Sequence, residues 1–159
     1  RNLQHLVKNK KKVCEIGVNA CHSLLLMLLI NPSAEYLLFD LNNHRYTEPC
    51  IDYIKQEFPD TKIMVIYGNS LETVSKYINE NNTIYDLFHI DGGHIHDIFS
   101  VDYENVKKIS NNDSIIIFDD YEYPEIFNFI NEKVDNNKII EVNDDNIIKN
   151  KSHFIYSYN

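Results

Sequence analysis

The chain has 159 residues, 43% of them hydrophobic, with a formal net charge of -9 and a pI near 5.1. That is enough apolar material for one well-buried domain, 1–159, and an acidic balance that argues against a nucleic-acid backbone as partner. Three cysteines (Cys14, Cys21, Cys50) make neither a disulfide framework nor a zinc spacing, which suits a reducing, cytoplasmic setting. The longest apolar run, Leu24 to Ile30, is too short to span a bilayer and follows a polar glycine turn unlike a signal peptide, so no membrane partner is expected. The chain begins at Arg1, so an upstream segment is expected to be missing.

The elements alternate along the chain. The basic run Lys8 to Lys12 reads as a solvated face before a short apolar strand, Lys12 to Ile16, which Gly17 closes. Ser23 to Ile30 reads as an apolar helix that Asn31-Pro32 ends. Tyr36 to Asp40 is a second strand. Thr47 to Phe58 is a helix carrying Ile51, Ile54 and Phe58 on one face, stopped by Pro59. Lys62 to Tyr67 is a third strand, and Leu71 to Asn79 an amphipathic helix. Tyr85 to Ile90, the helix Asp97 to Ile109, and Ser114 to Phe118 continue the alternation. Pro124 opens a helix to Val134, at a position where its missing N–H costs nothing. Lys138 to Val142 and His153 to Tyr158 are two late strands around an acidic, Asn-rich turn. Five βα units followed by a strand pair predict an α/β layered sheet with right-handed crossovers.

Two of the strand-like runs end in aspartate. Leu87 to Ile90 leads into Asp91-Gly92-Gly93-His94, and Ile115 to Phe118 leads into Asp119-Asp120. Strands this apolar belong inside a parallel sheet, and ligands bind beyond the carboxyl ends of such strands. If the two runs are neighbours, their ends lie roughly 5 Å apart. Three carboxylates and an imidazole would then converge, and a cation would relieve their repulsion.

The segment Glu15 to Ser23 follows the first strand and opens the first long helix, as a ligand-binding turn does. It lacks the G-x-G-x-x-G fingerprint, which disfavours a nucleotide-binding oxidoreductase. The acid at the end of the next strand, Asp40, is placed to accept from ribose hydroxyls.

Taken in order, E-I-G-x-N-A-x-H-S at Glu15 to Ser23, Asp40, Gly68-Asn69-Ser70, I-D-G-G-H at Ile90 to His94 and F-D-D at Phe118 to Asp120 resemble a class I S-adenosylmethionine-dependent methyltransferase. The resemblance runs from Val13 to Asp120. It is closest to the small metal-dependent O-methyltransferases of the catechol type and the related family with the I-D-G-G-H signature. It implies a three-layer Rossmann-like domain with a mostly parallel seven-stranded sheet and a last antiparallel strand.

The resemblance also implies roles. Glu15, Gly17 and Asn19 would shape the cofactor turn, and Ser23 would hold the cofactor's carboxylate. Asp40 would bind the ribose, and Asn69 and Ser70 would flank the adenine. Asp91, Asp119 and Asp120 would ligate Mg²⁺, or Mn²⁺ or Ca²⁺, with Asp91 also at the cofactor and among the catalytic residues. His94 would take the substrate proton, a task suited to imidazole. The substrate would be a hydroxyl of a small molecule or sugar, with Gly92-Gly93 favouring a sugar over an aromatic slot, and a homodimer is the expected assembly.

Two departures stand out. This chain has Cys21 where the family usually has glycine, and Asn69 where aspartate is common. Cys21 leads us to expect a less open turn and weaker cofactor binding; in the alternative reading the chain is a cofactor-binding module with little or no catalysis. Other assignments compete with the site reading. Asp119-Asp120 could cap the helix at Pro124, and His94 could serve only its own turn. His89 points the other way along its strand and reads as a satisfied core or interface histidine. Tyr121 and Tyr123 are candidates for a substrate wall.

Overall fold

The structure is a computed structural model that describes residues 1–149 and 153–159. Seven strands form one sheet: β1 (Lys12–Ile16), β2 (Glu35–Asp40), β3 (Ile63–Tyr67), β4 (Leu87–Ile90), β5 (Ile115–Phe118), β6 (Ile139–Glu141) and β7 (Phe154–Tyr158). Their order is β3-β2-β1-β4-β5-β7-β6. All pairings are parallel except those of β7, which runs antiparallel between β5 and β6. The expected sheet, with one antiparallel strand at the end of the chain, is what forms. β4 is buried at every position, as its unbroken apolar run predicts.

Among the described residues, six helices cover the sheet: α1 (Asn2–Leu6), α2 (His22–Leu28), α3 (Thr47–Glu57), α4 (Ser70–Glu80), α5 (His96–Lys108) and α6 (Pro124–Asp135). Alternate strand residues feed two cores. Cys14, Ile16, Phe39, Phe88, Ile90 and Phe118 pack against α4, α5 and α6 through Tyr77, Phe99, Tyr103 and Phe129. Val13, Leu38, Leu87 and Ile117 pack against α1, α2 and α3 through Leu6, Leu24, Met27 and Ile51. This is the period-two division of a sheet buried on both faces.

The helix α1 has no counterpart in the sequence reading, because five residues are too few to show a periodicity. Leu3 and Leu6 bury against α2. Asn2 fixes the helix to the late turn: its side chain donates to the Ile148 carbonyl at 2.8 Å and accepts from the Ile148 N–H at 2.9 Å. The basic run after it is largely exposed, as expected.

The chain steps outward from β1 to β2 and β3, then crosses back to place β4 on the other side of β1. Such a reversal opens a crevice beyond the carboxyl ends of β1 and β4. No helix among the described residues is long and apolar enough to cross a membrane.

Candidate active site

A cleft of about 390 Å³ occupies that crevice. Gly17, Asn19, Asp40, Asn69, Ser70, Asp91, His94 and Asp120 all line it. Glu15, Ser23 and Asp119 do not reach its wall.

Gly17 sets the depth of the cleft. Its φ is +88°, and a Cβ there would lie 2.0 Å from the Asp91 carbonyl oxygen. No side chain fits, so the β1 turn lies directly on the end of β4. Backbone bonds hold this contact, from the Gly17 N–H to the Phe39 carbonyl and from the Asp91 N–H to the Ile16 carbonyl, both at 2.8 Å.

Asp40 ties the next part of the turn to β2. One carboxylate oxygen accepts from the N–H groups of Val18 (2.8 Å) and Asn19 (2.9 Å); the other accepts from Asn42 (2.7 Å). A carboxylate has about four acceptor positions, so capacity for a ligand hydroxyl remains. Asp40 is thus part of the framework of the turn as well as of the cleft wall. Asn69 is the N-cap of α4, its side-chain oxygen accepting from the Leu71 N–H at 3.1 Å, which leaves its NH₂ for a ligand. The Ser70 hydroxyl donates to Asp102 at 3.2 Å. Asp102 is fully buried on α5, and that burial pushes its carboxyl up to about 6.

Cys21 takes the left-handed conformation, with φ +64°. That is the geometry for which glycine is suited, and a side chain costs about 1–2 kcal/mol there. The thiol does not narrow the cleft. It is buried, and it lines a separate apolar groove between α2 and α3. The expected loss of openness therefore does not appear on the cleft side of the turn.

Beside the Gly17 turn, Asp91, His94 and Asp120 bring one ligand atom each within 4.8 Å of one another. His94 Nε2 lies 2.6 Å from Asp120 Oδ2. Burial, opposed by the charge of His89 and assisted by those of Asp119, Asp120 and Glu15, pushes the Asp91 carboxyl up to about 7. Burial also raises Asp120, with the His94 imidazole opposing the shift. Carboxylates under this strain of charge, with an exposed imidazole beside them, make a donor set that a hard divalent cation fits. Tyr123 places its ring 4.8 Å from that of His94. Tyr121 instead stacks on Phe154, away from it. Tyr123 is the N-cap of α6, so neither aspartate caps that helix.

The three carboxylates do not converge on one point. Asp119 and Asp120 follow the end of β5; Asp120 turns left-handed, with φ +59°, and joins Asp91 and His94, whereas Asp119 does not. Asp119 Oδ2 lies 3.3 Å from His153 Nε2 and 3.8 Å from His89 Nε2, in a second cluster. His89 is buried, and Glu15, its register partner on β1, meets its Nδ1 at 2.9 Å. The Ser23 hydroxyl donates to the same Glu15 oxygen. Glu15 is thus held in the interior, with the half-buried Ser23 beside it. Burial opposes a charge on His89, but the carboxylates of Asp119 and Glu15 outweigh it and push the imidazole up to about 10. Burial likewise opposes the charge of Asp119, yet the nearby imidazoles of His153 and His89 and the bond from the Asp120 N–H hold it well below the usual carboxylate range.

Sequence reasoning did not place His153 or Asp102 in this neighbourhood. His153 arrives from the far end of the chain through the β5–β7 pairing, Phe118 opposite Phe154, which no local pattern announces. The expectation that His89 points the other way along its strand is not met: two residues before Asp91, it shares that side of β4.

A family model described as "Methyltransferase domain" matches residues 14–121, more than half of the chain. Solved structures share the fold. CalS11, a TDP-rhamnose 3'-O-methyltransferase of calicheamicin biosynthesis, is similar with a TM-score of 0.75 at 15% identity, over 98% of this chain and 75% of its own. The O-methyltransferase TomG from Streptomyces achromogenes, solved with S-adenosylmethionine, gives 0.73 at 12% over 98% and 77%. An O-methyltransferase from Bacillus cereus, in complex with S-adenosylhomocysteine, gives 0.73 at 16% over 98% and 78%. Sheet order, crevice and cleft define a Rossmann-like domain of the methyltransferase kind. The chain belongs to this methyltransferase-domain family.

Proposed function

We propose that the protein transfers the methyl group of S-adenosylmethionine to a hydroxyl of a small molecule or sugar, with a divalent ion of the magnesium class assisting. The observation that carries this reading is the cleft itself, which brings the Asp40-braced glycine turn together with Asp91, His94 and Asp120. The sugar O-methyltransferase among the similar folds agrees with a sugar hydroxyl as substrate.

In this reading the cofactor supplies an electrophilic methyl group when bound, and the ion supplies an electrostatic hold on the substrate oxygen. The chain does the rest. The Gly17 turn and Asn19 receive the cofactor's amino-acid end, and Asp40 accepts from its ribose. Asn69 offers its free NH₂ beside the base, with Ser70 next to it. Asp91 and Asp120 carry the oxygens suited to the ion. His94, with Nε2 held on Asp120, presents Nδ1 to take the hydroxyl proton and passes it to solvent, to which its side chain is 41% exposed.

The test is product formation from labelled S-adenosylmethionine with a panel of nucleotide sugars, simple glycosides and catechols, with and without Mg²⁺. Methylation of a hydroxyl compound that His94→Ala abolishes supports the reading. Methylation of nitrogen or carbon acceptors only would overturn it.

A further inference from the structure

His89, Asp119 and His153 form a second cluster at the β4 and β5 ends, outside the cleft wall. Two imidazoles and one carboxylate each point one ligand atom at a common space, all within 4.8 Å of one another. The two rings stand nearly perpendicular, at 80°, with centroids 6.2 Å apart.

The distances suit two ligands of one ion. Nitrogen and oxygen ligands about 2.0–2.1 Å from a tetrahedral ion lie roughly 3.3 Å from each other. The His153–Asp119 and His89–Asp119 separations are 3.3 and 3.8 Å. The second is too long for a hydrogen bond, so His89 Nε2, fully buried, has no hydrogen-bond partner among the described residues. A buried imidazole nitrogen left in this state is costly unless something occupies the space before it. Glu15 holds the opposite nitrogen, Nδ1, at 2.9 Å. A carboxylate behind a histidine that turns the other nitrogen outward is the arrangement that orients metal-binding histidines.

We propose that His89 Nε2, Asp119 Oδ2 and His153 Nε2 bind a transition-metal ion of the zinc class, with Glu15 as the positioning residue behind His89. Two nitrogens and one oxygen suit zinc or cobalt better than magnesium. Three protein ligands leave a fourth position for water. The site is separate from the Asp91–His94–Asp120 group, and the inference does not depend on the methyl-transfer reading.

Metal-stripped protein is titrated with Zn²⁺ against a chromophoric chelator, and with Co²⁺ as a spectroscopic probe. The expected result is one equivalent bound at micromolar Kd or tighter, with weak Co²⁺ bands of nitrogen and oxygen ligation. His153→Ala, at a partly exposed position, should fold normally and weaken Zn²⁺ by roughly tenfold or more, as loss of one ligand requires. Asp120→Ala should leave Zn²⁺ affinity within about threefold, because it belongs to the other group. His153→Ala binding like the parent, Asp120→Ala abolishing binding, or intense thiolate bands from Co²⁺ would each overturn the assignment. So would the absence of Zn²⁺ binding in the folded parent, which would make the cluster an ion-pair network only.

Discussion

The two clusters at the ends of β4 and β5 contain the same residue types and live under different rules. Asp91, His94 and Asp120 face the cleft, and the His94 side chain is 41% exposed. His89 and Glu15 are sealed in the interior, with side chains 1% and 0% exposed, and Asp119 and His153 close over them. Charge in the open group is screened and exchangeable, so substitutions there should cost function more than stability. Charge in the sealed group is held by partners, so removing one leaves another buried and unpaired. Two neighbouring strand ends thus provide one working surface and one structural brace.

The substitution expected to do most harm affects both regions. Gly17→Ala places a Cβ against the Asp91 carbonyl and demands a φ that alanine resists. A loss of about 3 kcal/mol or more is expected in denaturant unfolding, together with loss of the cleft. A parent-like unfolding midpoint would show that the turn does not lie on β4 as described.

The next substitutions sharpen the contrast. His89→Ala should cost about 3 kcal/mol, because it strands the Glu15 and Asp119 carboxylates. His94→Ala should cost less than about 1 kcal/mol, as partly exposed pairs do. Its effect should appear in turnover, more at pH 7 than at pH 9, where more substrate ionises unaided. Equal destabilisation by the two would erase the distinction between brace and working surface.

Asp102 gives a pH-dependent test away from both clusters. Its carboxyl titrates near 6 in the folded protein and near 3.9 when unfolded, so the folded state holds the proton more tightly. Its contribution is full below the unfolded value and is lost as pH rises through about 6. Asp102→Asn, which cannot ionise, should therefore be about 2 kcal/mol more stable than the parent at pH 8 relative to the difference at pH 4. Parallel stability curves across that range would contradict the assignment.

The smallest effect is expected at Cys21. Glycine there relieves the left-handed strain, about 1 kcal/mol, but removes a buried thiol from the groove between α2 and α3. Stability should change by less than about 1 kcal/mol, with cofactor binding equal or tighter. A marked loss of binding would give the cysteine a contact of its own.

Much of the sheet was legible because its strands are continuous apolar runs and its turns carry glycine or proline. The late strand pair was also readable, as apolar segments around an acidic turn. The helix α1 was not, since Leu3 and Leu6 alone make no pattern. Asp91, His94 and Asp120 could be placed together from their positions at two strand ends. The departure of Asp119 required knowing which way each side chain leaves β5. The Glu15–His89 pair required the register of β1 against β4, and His153 the pairing of β7 with β5. These are contacts between distant segments, which local pattern does not encode.

The central claim is that the cleft holds an S-adenosyl cofactor on the Gly17 turn and Asp40. Calorimetric titration with S-adenosylhomocysteine, in the parent and in Asp40→Ala, tests it most directly. The account predicts micromolar binding in the parent and at least roughly tenfold weaker binding in the variant. No binding by correctly folded parent protein, or equal affinity in the two, would contradict it.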